Sequence, residues 1–237
     1  MIQDAVRALK NGEVILLYDY DNREAETDLV IAAEFTTPKH VYQLRKDAGG
    51  LMCVAIDPAV CSNLGIPYIV DVLKYAGNCG NGFKALESIY EKVGDIPYDS
   101  KSSFSLWVNH RKTFTGITDN DRALTITKLA EVTKDAMNGS QINFGAEFRS
   151  PGHVPLLRAA PNLLYDRKGQ TELSIVLARA AGVTPAVVMC EMLDGETGKA
   201  LTKKDAMDYA EKHGLVFVEG KDVEGWFKSK GSNCSQN

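Results

Sequence analysis

The chain has 237 residues, 44% hydrophobic and 24% charged, with 20 Gly and 8 Pro, a composition that fits a folded protein with a sizeable core and excludes collagen-like, low-complexity and wholly disordered chains. Its 27 basic and 31 acidic side chains give a net charge of −4, so no strong positive field exists to neutralise nucleic acid or hold an anionic membrane. Cys53, Cys61, Cys79, Cys190 and Cys234 include no Cys-x-x-Cys pair, and His40, His110, His153 and His213 include no pair at i+4, which argues against a disulfide framework or zinc site and leaves carboxylates as the expected metal ligands.

A start without basic-then-apolar patterning, and no run of ~18 apolar residues, predict a cytoplasmic chain with no membrane partner. In chain order, Ala5, Val6 and Leu9 share one face of a helix that ends at Asn11-Gly12. Residues 14–18 form a continuous apolar run, read as a strand buried on both faces. A polar loop, 19–28, leads to a second buried strand at 29–33. Thr37-Pro38 starts a helix that closes at Gly49-Gly50, and a third strand follows at 51–56. Asp57-Pro58 starts a short helix closed by Gly65.

Residues 74–102 are irregular, and 77–99, with its glycine clusters, reads as a long mobile excursion without the spacing of a phosphate loop. At 103–109, Phe104, Leu106 and Val108 alternate with polar or exposed positions, as in a half-buried strand. Thr118 caps a helix carrying Leu124, Leu129 and Val132. A tight turn at 149–153 feeds a strand at 154–157; a second turn at 166–169 precedes a helix over 171–181 and a strand at 186–190. Thr202 caps a last helix ending at His213-Gly214, and residues 215–218 make a final strand. One domain over 1–227 is expected, with a frayed polar tail at 228–237.

Chemistry concentrates in Arg23-Glu24-Ala25-Glu26-Thr27-Asp28, where three carboxylates and a guanidinium crowd the end of a buried strand. Such carboxylates repel unless a cation or substrate sits among them, and they suit Mg²⁺; a solvated loop with an internal ion pair is the alternative. His153 stands beside a strand end, placed either as a proton carrier or as a structural residue. Arg167-Lys168-Gly169-Gln170-Thr171 opens a helix and reads as a phosphate cradle or as an exposed turn. Glu191 leaves an apolar strand where burial could raise its pKa, although a surface carboxylate is equally common there. Cys53 reads as a core thiol.

Six ordered blocks resemble the 3,4-dihydroxy-2-butanone 4-phosphate synthase family: residues 21–28, 49–53, 115–122, 150–159, 167–172 and 190–192. The resemblance implies a lyase of riboflavin biosynthesis that converts ribulose 5-phosphate to the four-carbon phosphate and formate. It implies that Arg23 and Glu24 contact substrate, that Glu24 ligates Mg²⁺ or Mn²⁺, with one or two ions per site, and that Asp28 holds a sugar hydroxyl. It places Arg167, Lys168, Gly169, Gln170 and Thr171 around phosphate and metal, gives His153 and Glu191 catalytic roles, and makes Glu26 a further acid/base candidate. Cys53 would line the substrate site.

The family turn reads Gly-His-Thr-Glu, its His a second metal ligand, whereas this chain has Gln170, an uncharged oxygen ligand for Mg²⁺ at best. Altered metal use is the expectation. The resemblance also implies a homodimer with sites near the subunit interface and with segment 167–171 supplied by the partner. The expected fold is α+β, a mixed twisted sheet with helices on both faces. Another metal-dependent phosphosugar isomerase or aldolase, or a noncatalytic nucleotide- or RNA-binding module, remain the alternatives; formate release and a basic, aromatic-lined strand face would discriminate them.

Overall fold

The computed structural model of the chain describes residues 2–80 and 82–233. Its strands are β1 (Ile15–Tyr18), β2 (Thr27–Ala32), β3 (Cys53–Ile56), β4 (Phe104–His110), β5 (Phe148–Arg158), β6 (Ala186–Glu191) and β7 (Val216–Glu219). They form one mixed sheet in the order β4-β5-β3-β6-β2-β1-β7. The pairs β1/β2, β2/β6, β3/β6 and β4/β5 are antiparallel, and β1/β7 and β3/β5 are parallel.

Helices cover both faces, as expected for an α+β sheet. They are α1 (Ile2–Lys10), α2 (Pro38–Gln43), α3 (Pro58–Asn63), α4 (Ile69–Asn78), α5 (Asp119–Met137), α6 (Phe144–Glu147), α7 (Gln170–Ala181), α8 (Lys203–His213) and α9 (Gly220–Asn233). The apolar strand runs explain the layering, because successive side chains point to opposite faces. Along β6, Val187 and Met189 join the core shared with α1, α7 and α9, while Ala186, Val188 and Cys190 join the core shared with α2, α3, α5 and α8. No described helix is long and apolar enough to cross a membrane.

Several expectations need correction. Asp28 belongs to a strand, since β2 begins at Thr27, and it pairs with Glu191 across the β2/β6 ladder. Residues 69–78 are helical; Ile69, Val72, Leu73 and Ala76 carry the i, i+3, i+4, i+7 spacing that marks α4. The alternation expected in β4 fails, because Ser105 and Asn109 are fully buried. Ser105 donates to the carbonyl of Pro67, and Asn109 is occupied by His153. The turn expected at 149–153 lies inside the irregular β5. The terminal stretch is helical through Asn233, anchored by Val223, Trp226 and Phe227 against the α1/α7 layer; residues 234–237 lie outside the described residues.

Candidate active site

The antiparallel pairings gather the end of β1, the start of β2, the end of β6 and the start of β3 at one edge of the sheet. Alternation turns Asp28, Cys53 and Glu191 toward the face covered by α7, whose first residue is Gln170. The loop between β1 and β2 is built around Asp19, which is 1% exposed. Asp19 Oδ2 accepts from the Glu24 amide at 3.0 Å and Arg23 Nη1 at 3.1 Å, and Oδ1 accepts from the Glu26 amide at 3.0 Å. Between those amides, Ala25 holds φ at 56°, a left-handed conformation that a non-glycine residue keeps only when its surroundings enforce it.

Arg23 is the hub. Besides Asp19, its Nη1 donates to Gln170 Oε1 at 3.1 Å and lies 3.1 Å from Glu24 Oε2. Its Nη2 pairs with Asp99 at 2.5 Å. Asp99 Oδ2 also meets Arg167 Nη2 at 2.8 Å, so one carboxylate bridges two guanidinium groups, and Arg167 Nη1 reaches the buried Glu172 at 2.8 Å. Glu172 completes its pairing by accepting from the Ala160 amide. Gly169 lets these groups converge, since a Cβ there would meet Arg167 Nη1 at 2.1 Å and Arg23 Nη2 at 2.8 Å. A cavity of about 570 Å³ opens here, lined by Tyr20, Arg23, Tyr98, Asp99, Arg167 and Lys168.

Beside Arg23 lies an acidic group with raised pKa values. Burial, then the charges of Glu24, Glu191 and Asp19, push Glu26 up to about 7. Burial, then Glu191, Glu24 and Glu26, raise Asp28 well above the usual carboxylate range; it is 3% exposed and its Oδ1 has no partner. Burial also raises Glu191, against the pull of the Leu51 amide, which donates to its Oε2 at 2.8 Å. That contact depends on Gly50, where a Cβ would meet Glu191 Oε2 at 2.5 Å. Burial and the charges of Glu191 and Asp28 hold Cys53 as a neutral thiol. For Arg23 burial opposes the charge, but Asp99, Glu24 and Asp19 outweigh it and keep the guanidinium protonated.

Of the remaining expected site residues, His153 is set apart from the acidic group. Counting back from the Val54/Leu156 pair brings His153 level with Leu51, two strands from Glu191 or roughly 10 Å. It is exposed there rather than in contact with the acidic group. Asn109 Oδ1 accepts from the His153 amide at 2.8 Å, so its Nδ2 donates to His153 Nδ1 at 3.0 Å and places the ring proton on Nε2. Thr171 turns to Ser103 (3.1 Å), and Lys168 pairs with Glu224 on α9 at 2.8 Å. Segment 167–171 meets Arg23 within one chain, which corrects the expectation that a partner supplies it.

The donor chemistry suits a hard divalent cation: the facing groups present oxygen, and a cation among them would relieve the repulsion that raises their pKa values. Among the described residues no three His, Cys, Asp or Glu side chains are already gathered around a metal position. A model of the 3,4-dihydroxy-2-butanone 4-phosphate synthase family matches residues 3–226. A synthase of that name from Methanosarcina acetivorans is 53% identical over 234 residues, covering 98% of this chain and 94% of the relative. The chain belongs to the 3,4-dihydroxy-2-butanone 4-phosphate synthase family.

The synthase from Archaeoglobus fulgidus is 52% identical over 221 residues, 93% of this chain and 91% of the relative. A synthase crystallised in complex with two magnesium ions shares the fold with a TM-score of 0.74 at 27% identity, covering 96% of each chain. The Candida albicans synthase superposes with a TM-score of 0.73 at 27% identity over 95% of this chain and 96% of that one. Within this synthase framework, sequence reasoning missed Asp19, Asp99 and Glu172. Asp19 had a usable signal, an Asp directly after a buried strand that can accept from amides further along the loop. Glu172 sits in the quoted block 167–172 at a helix start. Asp99 had none, because only the fold brings residue 99 to residue 23.

Proposed function

We propose that the chain converts D-ribulose 5-phosphate to L-3,4-dihydroxy-2-butanone 4-phosphate and formate, a carbon–carbon lyase step of riboflavin biosynthesis. The observation that carries the reading is the carboxyl group set Glu26, Asp28 and Glu191, raised in pKa beside Arg23, which Asp99 links to Arg167. Proton transfer next to a ketose carbonyl needs a carboxyl group that titrates near neutrality, as Glu26 does, and a phosphate handle needs fixed cations.

Arg23, Arg167 and the amides at the start of α7 bind the phosphate, which is not transferred and serves to orient the sugar. Asp99 yields its two guanidinium contacts as the phosphate takes them. Glu26, poised near pH 7, removes and returns the proton of enolisation. Asp28, its carboxyl raised by burial and its carboxylate neighbours, holds a sugar hydroxyl through the unpartnered Oδ1. Glu191, fixed by the Leu51 amide, protonates the hydroxyl that departs as water, and His153 carries a proton on the outward-facing Nε2. Cys53 packs as a neutral wall. Glu24 would hold Mg²⁺ or Mn²⁺, which when bound supplies the positive charge that stabilises the ketose oxygens during proton loss.

A homodimer belongs to the same proposal: β4, the strand neighbour of the one that carries His153, forms a sheet edge with Trp107 exposed and Phe114, just beyond, 93% exposed. A second copy against this edge would bring the histidine into a closed site. The protein acts in the cytoplasm in this reading. Incubation with ribulose 5-phosphate and Mg²⁺ should release formate; a ketose or aldose phosphate isomer without formate would favour an isomerase instead.

A further inference from the structure

Gln170 is 5% exposed, and its two polar atoms have different fates. Oε1 accepts from Arg23 Nη1 at 3.1 Å. Nε2 is buried with no partner. Turning the amide over would set Nε2 against the guanidinium, donor facing donor, so Arg23 fixes which end is which. The second hydrogen of Nη1 goes to Asp19 Oδ2 at 3.1 Å, which leaves Glu24 Oε2, also 3.1 Å away, in an ion pair without a hydrogen from that nitrogen.

Arg23 takes one lone pair of the amide oxygen, and a cation on the other would lie beside the guanidinium charge; the free polar group is an N–H donor. A cation repels such a group; an anionic oxygen satisfies it. We infer that Gln170 is a hydrogen-bond donor to an oxygen of the bound phosphosugar and not a ligand of the divalent ion, so that of the two side chains Glu24 and Gln170 only Glu24 reaches the ion before substrate arrives. The substrate half of this inference rests on the function proposed above; the cation half does not.

The test compares the native chain with Gln170→Met and Gln170→His, all checked for equal melting behaviour. Binding of Mn²⁺ alone is read from the EPR signal of the free ion. Native and Q170M proteins should bind Mn²⁺ indistinguishably, and Q170H, which returns an imidazole acceptor, about tenfold tighter or more. In EDTA, where no turnover can occur, calorimetry with ribulose 5-phosphate should show Q170M weakened by roughly 10- to 100-fold, the loss of one charge-assisted hydrogen bond.

A tenfold loss of Mn²⁺ affinity in Q170M would overturn the inference by making Gln170 a ligand. Unchanged phosphosugar affinity in Q170M would overturn it by removing the donor role. Should Q170M fail to fold, Gln170→Leu, which also lacks the donor and adds no charge, should show the same loss of phosphosugar affinity. Native protein that binds no ribulose 5-phosphate would refute the proposed function, while the Mn²⁺ comparison still decides whether Gln170 is a ligand.

Discussion

Replacing Glu26 by glutamine separates the stability of the acidic group from its chemistry. Burial and three neighbouring carboxylates raise Glu26 from the ordinary 4.5 to about 7. Between those pH values the native state binds a proton that the unfolded chain has released, so the stability tied to Glu26 is full below pH 4.5 and is lost as pH rises through 7. At full strength a shift of this size corresponds to about 3 kcal/mol. Glu26 is half-buried, and solvent screening reduces that to about 1–2 kcal/mol.

Glutamine keeps the shape and never ionises. Glu26→Gln should therefore melt about 2–8 °C above the native protein at pH 8. At pH 4, where both native and unfolded states of the wild-type chain are protonated, the two proteins should melt together. Formate release should meanwhile fall by about 100-fold or more, the contribution of a positioned acid/base group. Paired calorimetric melts across pH 4–8 give the comparison; a variant less stable at pH 8, or a gap that does not change with pH, would refute the charge-repulsion account of this site.

Other consequences follow from the same geometry. The rate at limiting ribulose 5-phosphate should rise with pH through about 7 as Glu26 ionises, and that limb should vanish from the residual activity of Glu26→Gln. Gly50→Ala would drive a Cβ to 2.5 Å from the Glu191 carboxylate and 2.6 Å from its carbonyl, costing roughly 1–3 kcal/mol in urea unfolding and lowering activity more than stability. Asp19→Ala removes the acceptor of two loop amides and one guanidinium, and should cost about 2–4 kcal/mol, mainly from the amides left without an acceptor, since Arg23 keeps Asp99 and Glu24.

Strand runs were readable because β1, β2 and β6 are almost wholly apolar, which marks burial on both faces. The same rule misplaced Asp28: a carboxylate beside an apolar run reads as loop, and only the ladder to Glu191 shows that the strand includes it. α9 was not legible because Gly220 and Gly225 weaken helix propensity; contacts of Val223, Trp226 and Phe227 with the α1/α7 layer override that. At the site, the crowded carboxylates of 24–28 and the basic turn at 167–171 stood out locally. Their meeting at Gln170 and the bridge through Asp99 are long-range contacts that no local pattern encodes. His153 was found as a residue, yet its place two strands from Glu191 follows from sheet order alone.

The central claim is the reaction itself. Uniformly ¹³C-labelled ribulose 5-phosphate, incubated with the protein and Mg²⁺ and followed by ¹³C NMR, should yield formate and a four-carbon phosphate in equal amounts. Complete conversion to five-carbon phosphates, or no formate with either Mg²⁺ or Mn²⁺, would contradict it.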